Sequence, residues 1–379
     1  MGVTSLWPCR RVSPVFGNRL DGPRGQSLSP GGPKAGPGGR KQIRANTAMP
    51  RPPLPTLRTA TFAKPESTLA PAKINLTLRI IGRRADGFHE LESLVAFAPF
   101  GDRLTLWTDG PLDLRVSGPM AAGAGPLADN LVLRAARALA ERIEGLKLGR
   151  FVLFKRLPSG AGLGGGSSDA AAALRLIAKA NGLGLDDPRI REAARATGAD
   201  IPVCLDPRPR FMRGIGEMLS PPLALPKLGI LIVHPGLALP TAPVFKALGL
   251  APGEPFVAPS PPPSVSPPPR GVGPGVGVGG SGTAVPHGDG SQAPKRNALL
   301  AWLSSERNDL EKAAISIAPQ IADVLSAIMG LPGCRLARMS GSGSACFGLF
   351  DSVRAAAAAA RRLAAARPSW WVQAGLLGN

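Results

Sequence analysis

The sequence predicts a two-domain α+β fold, and three observations carry that expectation. Segments with two-residue apolar alternation are mixed with helical segments, without the strict strand–helix alternation of a doubly wound sheet. A buried strand, "PKLGILIVHPG", follows a full set of strands and helices and starts a second domain. Two stretches are too rich in Pro and Gly to join a core, residues 1–65 and 251–294, and there the chain's 48 Gly and 42 Pro are concentrated. The expected organisation is a disordered basic leader over 1–65, an N-terminal domain over 66–222, and a C-terminal domain over 223–379 with a disordered insertion over 251–294.

In chain order, the leader comes first. It is poor in acid, as a transit peptide is, which would make a plastid-targeted form possible, but its prolines and glycines oppose an amphipathic helix. It reads equally as untranslated sequence ahead of an alternative start at Met49. In "APAKINLTLRI", Ala72, Ile74, Leu76, Leu78 and Ile80 alternate with Lys73, Asn75, Thr77 and Arg79, which predicts a half-buried strand with Lys73 and Asn75 on one face. "DRLTLWT" and "LDLRVS" continue as strands. "DNLVLRAARALAERI" turns to helical spacing behind an Asp-Asn cap, and "GRFVLFKR" is a strand leading into "LPSGAGLGGGSSDAAAAL".

A helix starting at Ser167 or Ser168 runs to about Ala180, a shorter one covers "REAARATG", and "ADIPVCL" follows. Past the insertion come helices in "NALLAWLSSERNDLEKAAI" and "APQIADVLSAIMG", a second glycine-rich stretch "ARMSGSGSACFGLF", and a helix "DSVRAAAAAARRLAAA".

Composition narrows the function. Half of the net charge of +20 sits in residues 1–64, where eleven Arg and Lys face the single acid Asp21. The remainder suits attraction of nucleotides or diphosphates better than a duplex-binding surface. With 4% aromatics and no Tyr, a stacking platform for single strands is not expected. Cys9, Cys204, Cys334 and Cys346 show no paired close spacing and the three His stand alone, so neither a zinc site nor a disulfide framework is read. No apolar run reaches the ~18–20 residues of a membrane helix. A cytoplasmic protein, monomeric or weakly dimeric, without nucleic acid or membrane as partner, is expected.

Gly160 to Gly166 invite three mechanisms. A Walker loop needs a Lys after its last glycine, and none follows. Gly160, Gly162 and Gly165 satisfy a dinucleotide fingerprint, which leaves an NAD-dependent oxidoreductase as an alternative. Against it, Asp186 and Asp187 lie in a turn rather than at a strand end. The third mechanism needs only the loop amides and the N-terminus of the next helix, with Ser167 and Ser168 as cap and hydroxyl donors, to hold a phosphate. A nucleic-acid binder acting through the basic leader is the remaining alternative.

Three stretches together resemble the motifs of the GHMP kinases, in family order: "PAKINLTLRIIGRRADGFHELES", "LPSGAGLGGGSSDAA" and "RMSGSGSACF". The first is similar to the branch that phosphorylates a cytidine-diphosphate-linked methylerythritol in the non-mevalonate isoprenoid pathway. The resemblance implies ATP as co-substrate, Mg²⁺, a small-molecule acceptor phosphorylated on its 2-hydroxyl, an N-terminal domain like domain 2 of ribosomal protein S5, and a ferredoxin-like C-terminal domain.

It also implies roles. Lys73 and Asp200 would be catalytic; on residue grounds alone they read as a solvated surface lysine and a turn or cap residue. ATP would be held by Pro158, Ser159, Gly160, Ala161, Gly162, Leu163, Gly164, Gly165, Gly166, Ser167 and Ser168, with Asn130, Leu131 and Lys155 around the adenine. Asn75, Gly341 and Gly343 would face the acceptor, and Phe88, His89 and Phe211 its cytosine. The branch usually carries Tyr where Phe88 stands, so stacking is retained there and a phenolic hydrogen bond is not.

Overall fold

The computed structural model describes residues 64–256 and 292–378, all within the unit Ala60–Asn379. The expected leader, apart from its last two residues, and residues 257–291 of the expected insertion lie outside the described residues.

The first sheet is built on one long strand. β1 (Glu66–Asn75) and β2 (Arg79–Arg83) precede β3 (His89–Trp107), followed by β4 (Asp113–Ser117), β5 (Arg150–Phe154), β6 (Arg210–Gly214) and β7 (Met218–Leu219). The order is β4-β5-β3-β6-β7, with β1 and β2 also paired to β3. Only β4 and β5 are parallel, as a β-α-β connection through α1 (Leu131–Ala140) requires. The helices α1, α2 (Gly165–Ala180), α3 (Pro188–Thr197) and α4 (Ile201–Leu205) complete this half.

The second half contains β8 (Leu228–His234), α5 (Thr241–Lys246), α6 (Gln292–Ser305), α7 (Glu311–Ile317), α8 (Gln320–Met329), β9 (Cys334–Met339), β10 (Cys346–Phe350), α9 (Val353–Ala366) and β11 (Trp371–Leu377). Its sheet is antiparallel throughout in the order β11-β8-β10-β9. That is the β-α-β-β-α-β arrangement of a ferredoxin-like unit, as expected. Alternate residues of β8 serve different cores. Leu228, Ile230 and Ile232 pack with Ile74, Leu94 and Phe347 in a core shared by the two sheets, while Leu231 and Val233 join the larger, helix-containing core.

Several boundaries differ from the sequence reading. The strand expected over Ala72–Ile80 is broken between Asn75 and Arg79, because Leu78 leaves β3 and forms a bridge with Asn308. Its polar face is not exposed: Lys73, Asn75 and Thr77 are buried. "NALLAWLSSERNDLEKAAI" is not continuous helix, since α6 ends at Ser305 and α7 starts at Glu311. Residues 251–256 are not part of a disordered insertion. The Arg83 amide donates to the Glu254 carbonyl (2.8 Å) and the Phe256 amide to the Ile81 carbonyl (2.9 Å), so the segment runs against β2. Residues 292–294 likewise belong to α6.

Candidate active site

The site begins with a register slip. Pro71 faces Gly101 but Lys73 faces Phe97, so β1 departs from regular pairing with β3 just where Pro71 offers no amide. The freed groups bond elsewhere. The Pro71 carbonyl accepts from the Ser168 hydroxyl (2.7 Å), and the Lys73 amide donates to the Leu163 carbonyl (2.9 Å). β1 is thereby tied to both the glycine loop and α2, and Lys73 is carried under the loop.

The loop's glycines are required by close approach. A Cβ on Gly162 would lie 2.3 Å from the Ser340 carbonyl oxygen, and one on Gly164 would lie 3.2 Å from Lys73 Cβ and Cε; both residues have positive φ. Without a side chain at 164, the lysine stem lies flat along the loop. α2 begins at Gly165, two residues earlier than the first serine expected to open it, with Gly164 in the left-handed cap position. The first amides of the helix have no partner within it, and the residues that carry them, Gly165, Gly166 and Ser167, line the cavity. A hydroxyl cap is absent. Ser168 is fully buried with its hydroxyl on Pro71, so it is not a phosphate donor, whereas Ser167 lines the cavity.

That cavity has a volume of ≈ 590 Å³ and is lined by Pro158 to Ser167 along the loop, by Lys73, Asn75, Lys155 and Asp200, and by Asn130 and Leu131 at one end. Lys73 Nζ donates to Asp200 Oδ1 at 2.9 Å, the lysine side chain being 5% exposed and the carboxylate 40%. Asp200 occupies the cap position of α4 but makes no capping hydrogen bond, so its carboxylate is left for Lys73 and the cavity.

The second glycine turn closes on the first. The Ser340 hydroxyl donates to the Gly162 carbonyl (3.1 Å) and accepts from the Asn75 amide (3.1 Å), and the Ala345 amide donates to the Ala161 carbonyl (3.0 Å). Gly341 lines the cavity; Gly343 does not, and a Cβ there would strike Met339 Sδ. Asn308 Nδ2 donates to the carbonyls of Met339 (2.9 Å) and Gly341 (2.8 Å), fixing the turn from the break between α6 and α7. Asn75 donates to Ser93 (2.8 Å), while its Oδ1 is buried without a partner.

Lys155 lines the cavity with Asn130 and Leu131. Its ammonium is buried and donates to Asp102 Oδ2 (2.5 Å) and Asp169 Oδ2 (2.8 Å). Burial would lower its pKa, but the two carboxylates outweigh that and raise it. Burial, with the Asp102 charge and against Lys155, pushes Asp169 up to about 7. Asp102 Oδ1 also accepts from the amides of Arg156 (2.5 Å) and Leu157 (2.8 Å), anchoring the entry to the loop. Neither acid was singled out in the sequence, although an acid within an alanine run and a Gly-Asp pair inside a strand were both visible.

The expected cytosine residues are only partly gathered. Phe88 is 58% exposed, and His89 packs at a tilt of 43° against Phe245 (4.8 Å between centroids), a cavity residue that the sequence reading did not single out. Burial and then the Arg83 charge lower the His89 pKa. Phe211 is not at the cavity. It packs edge-on against Trp302 (6.2 Å), while its neighbour Met212 lines the cavity from the other face of β6.

Comparison with known proteins gives the family. The family model for the GHMP kinases N terminal domain matches residues 130–206, and that for the GHMP kinases C terminal matches 292–368. A 4-diphosphocytidyl-2-C-methyl-D-erythritol kinase from Xanthobacter autotrophicus is 56% identical over 308 residues, covering 81% of this chain and 97% of its own. The chain belongs to the 4-diphosphocytidyl-2-C-methyl-D-erythritol kinase family of GHMP kinases. A second member of that kinase family, from Methylobacterium radiotolerans, is 53% identical over 80% of this chain and 96% of its own. A crystal structure titled 4-(cytidine 5'-diphospho)-2C-methyl-D-erythritol kinase superposes with TM-score 0.58 at 33% identity, over 83% of this chain and 100% of the other. A homoserine kinase from Cytophaga hutchinsonii shares the fold at 16% identity and TM-score 0.52, over 85% of this chain and 96% of its own. These relatives are named as kinases, and the comparisons lend no support to the oxidoreductase or nucleic-acid readings. Among the described residues, no helix is long and apolar enough to cross a membrane.

Proposed function

We propose that this chain transfers the γ-phosphoryl group of ATP to the 2-hydroxyl of 4-diphosphocytidyl-2-C-methyl-D-erythritol, giving the 2-phosphate and ADP in the non-mevalonate pathway. The observation that carries the mechanism is the Lys73–Asp200 pair, 2.9 Å apart beside the start of α2. Asp200 takes the hydroxyl proton as the acceptor oxygen bonds to phosphorus and the bond from phosphorus to the ADP oxygen breaks. Lys73 orients the hydroxyl and offsets negative charge spreading over the transferred group. The amides of the glycine loop and the dipole of α2 hold the triphosphate, and Asn130 and Leu131 flank the nucleoside end. Asn75, with its unpartnered Oδ1, and Gly341 face the acceptor.

Mg²⁺, when bound with the nucleotide, would neutralise phosphate charge. Among the described residues no group of three His, Cys, Asp or Glu could cage a metal ion, which fits an ion carried mainly by phosphate oxygens and water. The proposed domains are 66–222 and 223–379 in a cytoplasmic monomer or weak dimer. The reading is tested by following labelled γ-phosphate from ATP into the cytidylyl acceptor, with homoserine and mevalonate as controls. Transfer to the cytidylyl acceptor alone is expected, and preference for either control would overturn it.

A further inference from the structure

We propose that Asp169 is a nucleotide-selecting residue, whose Oδ1 accepts a hydrogen bond from a neutral N–H or O–H donor of the nucleoside. Asp169 is the fifth residue of α2 and lines the cavity. One oxygen, Oδ2, is taken by Lys155 at 2.8 Å; the other, Oδ1, is buried and has no hydrogen-bond partner. A buried acceptor left unpaired is costly, and native proteins rarely keep one without a use. The groups nearest to it are already engaged. Lys155 is shared with Asp102, Ser168, the preceding residue, donates to Pro71, and both Asp102 oxygens already accept hydrogen bonds, from Lys155 and from the Arg156 and Leu157 amides.

The chemistry of the missing partner follows from the surroundings. A carboxyl one helical turn below the α2 amides has only oxygens and no positive charge of its own to offer a phosphate, so the triphosphate belongs at the amides and not at Asp169. Side chains on a helix lean toward its N-terminus, which brings Asp169 under Gly165 and Gly166. Leu131 borders the same spot, its Cδ1 lying 3.3 Å from where a Gly166 Cβ would be, and Lys155 Nζ lies 3.6 Å from where a Gly165 Cβ would be. This is the part of the cavity that Leu131 borders, the part assigned above to the nucleoside. ATP offers two kinds of neutral donor there, the amine of the base and the hydroxyls of the ribose. A site built around such a donor rejects analogues that lack it far more strongly than a merely apolar pocket can.

The inference rests on ATP occupying this cavity. The test is kcat/KM of the parent enzyme with ATP, inosine triphosphate, 2'-deoxy-ATP and 3'-deoxy-ATP, followed by the same series for Asp169→Asn. In the parent, at least one analogue is expected to fall about tenfold or more below ATP. Loss with the inosine nucleotide assigns the base amine, and loss with a deoxy nucleotide assigns the ribose. Asp169→Asn keeps an oxygen for Lys155 but presents an amide donor to the cavity, so that discrimination should shrink to within about threefold. A purely structural role would instead lower all four values together and leave their ratios unchanged, which overturns the proposal. So does a parent that uses the four nucleotides alike, because Oδ1 then meets only water. If Asp169→Asn does not fold, the parent series decides alone. A parent inactive with ATP itself would sink the proposed function rather than this inference.

Discussion

Two lysines line the same cavity, and the protein treats them in opposite ways. Lys73 meets one carboxylate, Asp200, whose side chain is 40% exposed. Lys155 is sealed between two carboxylates that are almost wholly buried, Asp102 and Asp169. A buried charge is tolerated only when fully paired, so Lys155 is committed to holding the glycine loop and α2 in place. Lys73 has one half-exposed partner and remains available to a ligand. Charge near a phosphate site is therefore not sufficient to assign a catalytic role; what the charge is already bound to decides it.

The largest effect that would break this comparison lies in Asp200. Asp200→Ala removes the proposed base and should reduce transfer by about 10²- to 10⁴-fold while ATP affinity changes little, because the role proposed for the carboxylate is toward the acceptor and not the nucleotide. Single-turnover rates beside an ATP binding isotherm measure both. Parental turnover would make Asp200 only a residue at the start of α4.

Lys155→Met should produce a stability effect of comparable size. It strands two buried carboxylates, and breaking a buried pair from one side costs about 3–5 kcal/mol. Lys73→Met leaves Asp200 partly in water and should cost about 1 kcal/mol or less, since pairs with one exposed partner contribute little. Denaturant midpoints of the two variants give the contrast directly. Equal losses would mean that both lysines are structural.

Lys73→Arg is the finer test. The guanidinium keeps the charge, but Gly164 leaves only a narrow channel for the lysine stem, and the planar fork is larger. We expect at least a tenfold fall in kcat with stability near the parent's. An Arg variant of full activity would show that charge alone matters at this position.

The asymmetry between the lysines also shows what was legible in the sequence. Lys73, Asp200 and the glycine loop lie in stretches whose spacing is itself the signal. Asn308 and Phe245 arrive from distant segments and nothing local marks them, while Asp102 shows only as an acid inside a strand, with no spacing that ties it to the loop. The errors are ones of parity and phase. Phe211 and Met212 are adjacent on β6, so one of the two must face away from the cavity, and the aromatic is the one that does. Ser167 and Ser168 differ by about a hundred degrees around α2. That rotation sends Ser168 onto β1 and leaves Ser167 on the cavity. The break at Glu306–Leu310 was hidden because Leu303 before it and Leu310 at its end still lie seven residues apart, near helical spacing. Asn308 spends its side chain on Met339 and Gly341 there, at positions visible only once both sheets are in place.

The smallest expected effect concerns the protonation of the sealed cluster. Asp169 has a folded pKa raised from 3.8 to about 7, chiefly by burial. A carboxyl whose folded pKa lies above its unfolded value binds its proton more tightly in the folded state. Its contribution to stability is therefore complete below pH ~4 and is lost as pH rises toward and through the folded value. Lys155 shares that proton's field, so only part of the shift should appear as stability. Each pKa unit retained is worth about 1.4 kcal/mol, or roughly 2–4 °C in Tm for a domain of this size. The parent should lose about that much between pH 5 and pH 8, relative to Asp169→Asn, which has no carboxyl to ionise there and leaves Asp102 as the one charged partner of Lys155. The difference between the two Tm profiles removes the common contribution of His89 and His234, whose pKa values burial lowers in both proteins. If the two profiles run parallel, Asp169 is ionised throughout, and the cluster's net negative charge is compensated by something other than a proton.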